Sequence, residues 1–268
     1  WDVLPVRIPA GKQHAKLTIL AWTNRVRVIV ASANLTEPGY RSNFEVAVPI
    51  DATPERGSAE SGRDACEFLR ALLEFVVGAE DDMPGIQRAA NFLRSIERRL
   101  VDWTIRRRRD ERVRQRLVFT LPSRGDTKAQ SSLDGAIGAC RQRGGSPREA
   151  WIASPFFDVD EEFSQATAAL CKSMARGEDR RLWFCVPAKG DPSEPPLRLA
   201  APRALLDTPG RYSASASFEV LPQRDEDKNL RPWHAKMIAF RSASYTALLI
   251  GSSNFTCAGL GITSRRNA

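Results

Sequence analysis

Histidine is almost missing from this chain: His14 and His234 are the only two in 268 residues. Histidine-based metal sites need several ligands that fold together, and two imidazoles 220 positions apart give little basis for one. Cysteine offers no framework either. The five cysteines, Cys66, Cys140, Cys171, Cys185 and Cys257, are odd in number and never spaced as CxxC. That argues against a disulfide scaffold and a structural zinc site, and for a reducing, intracellular (cytoplasmic) setting. No apolar run approaches the ~20 residues that span a bilayer, and no signal-peptide pattern is visible. Negative charge is in deficit: 40 Lys and Arg stand against 32 Asp and Glu, for a net charge of +8 and a pI near 9.6. Such a balance favours polyanionic partners, whether nucleic acid, phospholipid headgroups or phosphorylated substrates. With 42% hydrophobic residues the chain has ample material for a core in one large or two small domains.

What the chain does hold is a repeat. His14-Ala15-Lys16 is followed by Ser32-Ala33-Asn34, and His234-Ala235-Lys236 by Ser252-Ser253-Asn254. The interval from His to Ser is 18 in both copies, and from His to Asn it is 20. The offset of 220 also carries Leu17 onto Met237, Thr36 onto Thr256 and Gly39 onto Gly259. Both histidines of the chain therefore sit inside one spaced pattern, which is how a duplicated site looks in sequence.

Residues 15–22 and 25–32 are β-rich apolar runs around Thr23-Asn24 and predict a hairpin. Pairing symmetric about Asn24 would set His14 opposite Asn34 and Lys16 opposite Ser32, with all four side chains on one face. The second copy would repeat this about Ser244, with strands 235–241 and 246–251. Residues 51–63 read as a surface loop, 64–77 as an amphipathic helix, and 84–116 as a second helix broken near Trp103. Leu117–Leu121 is a buried-strand candidate. A helix over 131–143, a strand over 150–154, a helix over 160–175 and a strand over 181–186 follow. Residues 187–215 read as irregular, and 218–221 as a short strand. Strands alternating with helices predict an α/β fold. The second motif is preceded by a strand–helix–strand unit (150–186), whereas only thirteen residues precede His14. The N-terminal half is thus expected to be truncated, lacking its first βαβ portion.

The chemistry follows from the residue types. Two ammonium groups and two Asn amides suit a tetrahedral anion such as phosphate. One imidazole can attack phosphorus while the other protonates the leaving oxygen, and the roles of acid and base then reverse to activate water. Imidazole titrates near enough to neutrality for both tasks. Lys16, Lys236, Asn34 and Asn254 would meet the charge on the non-bridging oxygens, so that no metal or other cofactor is needed. An attacking imidazole needs its other nitrogen held, commonly by a carboxylate. Glu45 is the candidate in the first copy, while the aligned residue in the second is Arg265.

The duplicated HxK…SxN pattern resembles the phospholipase D superfamily, with Gly251-Ser252-Ser253-Asn254-Phe255 and Asn43-Phe44-Glu45 matching its motifs. The resemblance covers residues 1–50 and about 150–268. Two departures stand out. The family's Asp position holds Ala21 and Arg241, and the His-to-Asn interval is three longer than in the lipases. Both are similar to the tyrosyl-DNA phosphodiesterase branch, as are Ser32-Ala33-Asn34-Leu35 and the Leu-Val-Phe-Thr-Leu-Pro-Ser segment.

The resemblance implies a phospholipase D-like two-lobed α/β sandwich with pseudo-twofold halves, 1–130 (truncated, with the helical insert) and 131–268. It further implies one composite active site, a monomer, and a covalent phosphohistidine on His14 with His234 as general acid. Lys16, Lys236, Asn34, Asn254 and Glu45 would complete the catalytic set, and Ser32, Ser252 and Trp233 would contact substrate. The expected substrate is a nucleic-acid phosphodiester in a DNA-repair setting. A phospholipid diester is the alternative substrate, and a silent phosphate-binding module the non-enzymatic one.

Other features carry two readings each. The arginines at 106–109, 112, 114 and 116 form either a nucleic-acid stripe or a solvated helix face balanced by Asp110 and Glu111. Trp22, Trp103 and Trp233 are either stacking platforms or core and rim residues. Ser154-Pro155-Phe156-Phe157-Asp158 is either a ligand-gathering strand end or a plain turn into a helix. Cys257 is a packed small hydrophobe.

Overall fold

Alternation of apolar residues builds the first sheet. β1 (Leu17–Trp22) and β2 (Arg25–Ala31) pair antiparallel through the two-residue turn Thr23-Asn24, and β3 (Ala47–Ala52) adds to β2. The structure, a computed structural model, describes residues 2–9, 11–55, 57–78, 83–104, 114–123, 129–160, 162–177, 179–189, 198–221 and 230–263. Val26, Ala52 and neighbouring apolar residues face α1 (Ala59–Leu73) and α2 (Pro84–Thr104), where Cys66, Leu93, Ile96 and Leu100 complete a core.

The second sheet is larger and mixed. Its strands are β4 (Glu149–Ala153), β5 (Arg180–Lys189), β6 (Arg198–Leu199), β7 (Ala214–Leu221), β8 (Lys236–Arg241) and β9 (Thr246–Gly251). The order is β6-β5-β4-β8-β9, with β7 also paired to β5; β4, β5 and β7 run parallel, and β8 is antiparallel to β4 and β9. The helices α3 (Ser132–Gly144), α4 (Gln165–Ser173) and α5 (Ala204–Gly210) belong to this half. Residues of α3, α4 and α5 share its main core with Ile152, Phe184, Phe240 and Phe255. The chain is therefore mixed α/β, as its alternation of elements predicts. The two sheets meet where Gly251 lies against Val30: a Cβ there would stand 3.3 Å from Val30 Cγ1.

Both hairpins differ from expectation by one residue, and identically. Leu17 faces Val30 and Trp22 faces Arg25, while Met237 faces Ile250 and Arg241 faces Thr246. The Ala31 N–H donates to Lys16 O (3.0 Å), so Lys16 opposes Ala31 rather than Ser32. The reason is the turn: a two-residue loop centres the hairpin on the Thr23–Asn24 bond, not on Asn24. A slip of one exchanges faces, so the strand register alone does not gather His, Lys, Ser and Asn on one side.

Other boundaries shift for local reasons. The expected loop over 51–63 gives way at Ser58, whose hydroxyl caps α1 by accepting the Ser61 N–H (3.3 Å). Phe75 and Val76 lie in the turn after α1 and are buried there. α2 ends at Thr104, and most of the arginine run falls outside the described residues. Arg116 itself pairs with Glu60 (2.8 Å) and Asp64 (3.3 Å). Among the described residues the expected strand Leu117–Leu121 joins no sheet and makes a single bridge, Leu121 to Gln130, and Thr120 Oγ1 donates to Gly259 O (3.2 Å). The helix expected from 160 starts only at Gln165, capped by Ser164. Residues 187–215 contain β6 and α5, and β7 begins at Ala214.

The spaced Thr and Gly of each copy have a structural task. Thr36 N–H donates to Asn34 O and Thr256 N–H to Asn254 O, both at 2.8 Å. Gly39 and Gly259 then return an N–H to the threonine hydroxyls (3.4 and 3.0 Å). A Cβ on Gly259 would sit 2.5 Å from Asn254 O, a backbone atom that cannot yield. Gly259→Ala is expected to cost roughly 2 kcal/mol through this clash. Gly138→Ala, inside α3 with open space around it, should instead stabilise by roughly 0.5–1 kcal/mol. Urea unfolding midpoints of the two variants should move in opposite directions.

Candidate functional site

The two motifs are drawn together by a short strand-like contact between segments far apart in sequence. Phe44 N–H donates to Pro232 O and His234 N–H to Phe44 O, both at 2.9 Å. Arg231 lays its guanidinium 5.0 Å from the Phe44 ring centre and donates to Asn43 O (3.3 Å). This pairing carries Glu45 to His234: Nδ1 and Oε1 are 2.7 Å apart. In the opposite sense, His14 Nδ1 lies 3.1 Å from Ser252 O. Each imidazole is thus held by a group from the other copy. Glu45, expected to hold the histidine of its own copy, holds His234 instead, because the 43–45 segment runs alongside 232–234.

The partners fix the proton positions. A carbonyl oxygen can only accept, so neutral His14 carries its proton on Nδ1 and leaves the Nε2 lone pair bare. Glu45 likewise accepts a hydrogen bond from the Nδ1–H of His234. Lys236 Nζ is 3.1 Å from that same nitrogen, but its hydrogen bond goes to His234 O. Lys16 mirrors this by donating to His14 O (2.8 Å).

Burial pushes the His14 pKa down to about 4, helped by the positive charges of Lys16 and Lys236. His234 is lowered by burial and Lys236 as well, but Glu45 opposes that shift through its charge and its hydrogen bond. Burial also lowers Lys236 to about 8, with Glu45 countering. The result is an electrostatically unequal pair, with one imidazole kept neutral and the other offered a counter-charge.

Not every expected site residue reaches the imidazoles. Ser32 is fully buried: its hydroxyl donates to Glu45 Oε2 and accepts from Val46 N–H (3.0 Å), which removes it from any role at substrate. Ser252 contributes its backbone carbonyl to His14. Asn34 is exposed on its loop, and Asn254 is half-buried with Oδ1 enclosed and, among the described residues, lacking a hydrogen-bond partner. Trp233 turns its indole N–H to Ala235 O (3.0 Å) and packs 6.0 Å from Phe44, acting as a clamp on the motif.

Three further residues join the site: Asn43 and Phe156 lie in segments that the sequence singles out without giving them these roles, and Arg231 carries no sequence signal. Asn43 Nδ2 donates to Glu45 Oε1 (3.3 Å), Arg231 clamps Phe44, and exposed Phe156 stands edge-on to the His234 ring at 6.3 Å. Asn43 lies two positions from Glu45, which was a usable signal, whereas the other two depend on tertiary contacts that spacing does not encode.

A cavity of about 220 Å³ lies between the sheets, with His14, Lys16, Lys236 and Ser252 on its wall beside apolar Leu17 and Ile250. Among the described residues no three His, Cys, Asp or Glu side chains cluster as metal ligands, and no helix is long and apolar enough to cross a membrane. Comparison of the chain with protein-family models and with curated proteins gives no match.

Acid sensitivity follows from His14. Between the ordinary imidazole value of ~6.5 and about 4, the unfolded chain binds a proton at His14 that the folded chain refuses. Stability should therefore fall as pH drops through that window. His14→Gln should lose less stability than wild type between pH 6.5 and 4 in denaturant titrations. Equal losses would contradict the buried, neutral imidazole.

Proposed function

We propose that the chain is a phosphodiesterase of the phospholipase D type, with its halves, 1–130 and 131–268, contributing one histidine each to a single site. The observation that carries this reading is the crossed holding of the imidazoles: His14 by Ser252 O, His234 by Glu45. That arrangement leaves both Nε2 atoms for chemistry, one bare and the other able to carry a proton.

The reaction is written accordingly. The His14 Nε2 lone pair forms a bond to phosphorus as the bond to the leaving oxygen breaks, and His234 Nε2 gives its proton to that oxygen. Water then attacks the phosphohistidine, passing a proton to His234 Nε2 while the N–P electron pair returns to His14. Lys16 and Lys236 offset the charge on the non-bridging oxygens. Asn254 and Asn34 are assigned to the same set by their place in the repeat, 20 residues after each histidine. No metal enters these steps.

A nucleic-acid diester is the preferred substrate, on the strength of the net charge of +8. A phospholipid diester is the second reading, favoured by the apolar residues beside the lysines in the inter-sheet cavity. Turnover of each substrate separates the two, and only the first should weaken steeply as salt rises.

Trapping with a labelled diester tests the roles. Wild type and His234→Ala should yield an acid-labile phosphohistidine, with the label persisting longer in the variant, and His14→Ala should yield none. Label retained in His14→Ala would reverse the assignment, and absence of label and of turnover in wild type would remove the enzymatic reading.

A further inference from the structure

The Glu45 carboxylate is almost enclosed, with its side chain 10% exposed, and three donors converge on it. His234 Nδ1–H and Asn43 Nδ2 (3.3 Å) share Oε1, and Ser32 Oγ takes Oε2. The Ser32 hydroxyl is itself oriented, because it is buried and accepts the Val46 N–H (3.0 Å).

Main-chain bonds aim Asn43 at the same group. Its N–H donates to Pro38 O (2.9 Å), its C=O accepts from Arg231 (3.3 Å), and the next residue, Phe44, pairs with Pro232 and His234. A carboxylate can only accept, so the amide nitrogen is the atom turned to Oε1. At the 220 offset Thr263 stands in the place of Asn43 and Arg265 in that of Glu45. The second copy thus repeats neither the carboxylate nor the amide.

Two donors on one oxygen share its negative charge. Each hydrogen bond that a carboxylate accepts stabilises its ionised form and makes it a poorer base. The other groups around the ring are Lys236 at the start of β8, Lys16 just before β1, and His14. The two ammonium groups disfavour charge on the His234 ring, whereas Glu45 favours it. On the 154–158 turn, uncharged Phe156 faces the ring and Asp158 is engaged with the Cys257 N–H (2.8 Å), while Arg231 lies against Phe44. Glu45 is therefore the one group beside His234 that sustains its positive charge, and Asn43 acts on that group.

We propose that Asn43 is a positioning residue for His234: its amide fixes Oε1 and draws charge from it, so that His234 is a stronger acid than Glu45 alone would make it. Glu45 lets the ring carry a second proton, and Asn43 keeps the Nε2 proton easy to give to a leaving oxygen. The use in catalysis rests on the phosphodiesterase reading, but the interaction can be measured without turnover.

NMR titration of the imidazoles in Asn43→Ala and Asn43→Leu tests it. Without the amide Oε1 is more basic and the charged ring is favoured, so the His234 midpoint should rise by about half a pH unit. His14, bonded to Ser252 O, should stay in place. Wild type supplies a second measurement should the variants not fold. The Asn43 side-chain amide should shift with the His234 midpoint, and should lose that response in Glu45→Gln. In turnover the alkaline limb of the pH–rate profile should move up with His234 while the acid limb holds. A purely structural Asn43 would change stability and move neither midpoint. An unmoved or lowered His234, a His14 that shifts equally, or an Asn43 amide indifferent to His234 would overturn the proposal. A raised His234 midpoint in a chain without turnover would remove the phosphodiesterase reading alone, and turnover with His234 unmoved would remove this proposal alone.

Discussion

The hydrogen bond between Glu45 and His234 joins the two copies of the motif at their chemical centre. It depends on the backbone pairing of residues 43–45 with 232–234, and that pairing depends on Arg231 and Trp233 gripping Phe44. Asn43 also donates to Oε1 of that carboxylate, and Ser32 donates to Oε2. A buried carboxylate left unsatisfied would be costly, so the whole cluster is needed for any part of it to be stable. The SxN serine of the first copy acts at second remove, through Glu45, on the histidine of the other copy.

The two copies are equivalent in backbone and unequal in charge. The hairpins share register under the 220 offset, and the Asn–Thr–Gly turns repeat their hydrogen bonds. Yet His234 faces a carboxylate and His14 a carbonyl. Duplication provides two imidazoles, and their different partners make them unequal. A carbonyl partner fixes the tautomer without stabilising positive charge, which suits an attacking nitrogen. A carboxylate partner favours the charged ring, which suits a proton donor.

How far the sequence was legible depends on the range of the interaction. Local signals served well: the hairpin positions, the short strands β4 and β5, and helix α3 ended by Gly144-Gly145 are set by periodicity and turn residues close by. The repeat at constant offset picked out both histidines. Register was missed by one residue because Thr23-Asn24 permits two centres, and the choice between them is made by twist matching in the turn. β3 was missed because Pro49 interrupts a short run and its pairing with β2 is settled by tertiary contact. Glu45 was found but given to the wrong histidine, because linear proximity favours the same copy while the fold crosses the partners. Phe156 lies in the strand-end segment Ser154–Asp158, one of whose two readings was a ligand-gathering end, and its ring does stand against His234; Arg231 had no local signature.

The two imidazoles are held unequally, by Ser252 O and by Glu45. With only two histidines in the chain, NMR titration of isotope-labelled imidazoles reads both directly, in wild type and in Glu45→Gln. His14 should stay neutral and protonated on Nδ1 until the pH nears about 4, unmoved by the substitution. His234 should titrate at still lower pH once Glu45 loses its charge. A substitution at Glu45 that shifts His14 and leaves His234 in place, or a His14 that carries its proton on Nε2, would contradict it.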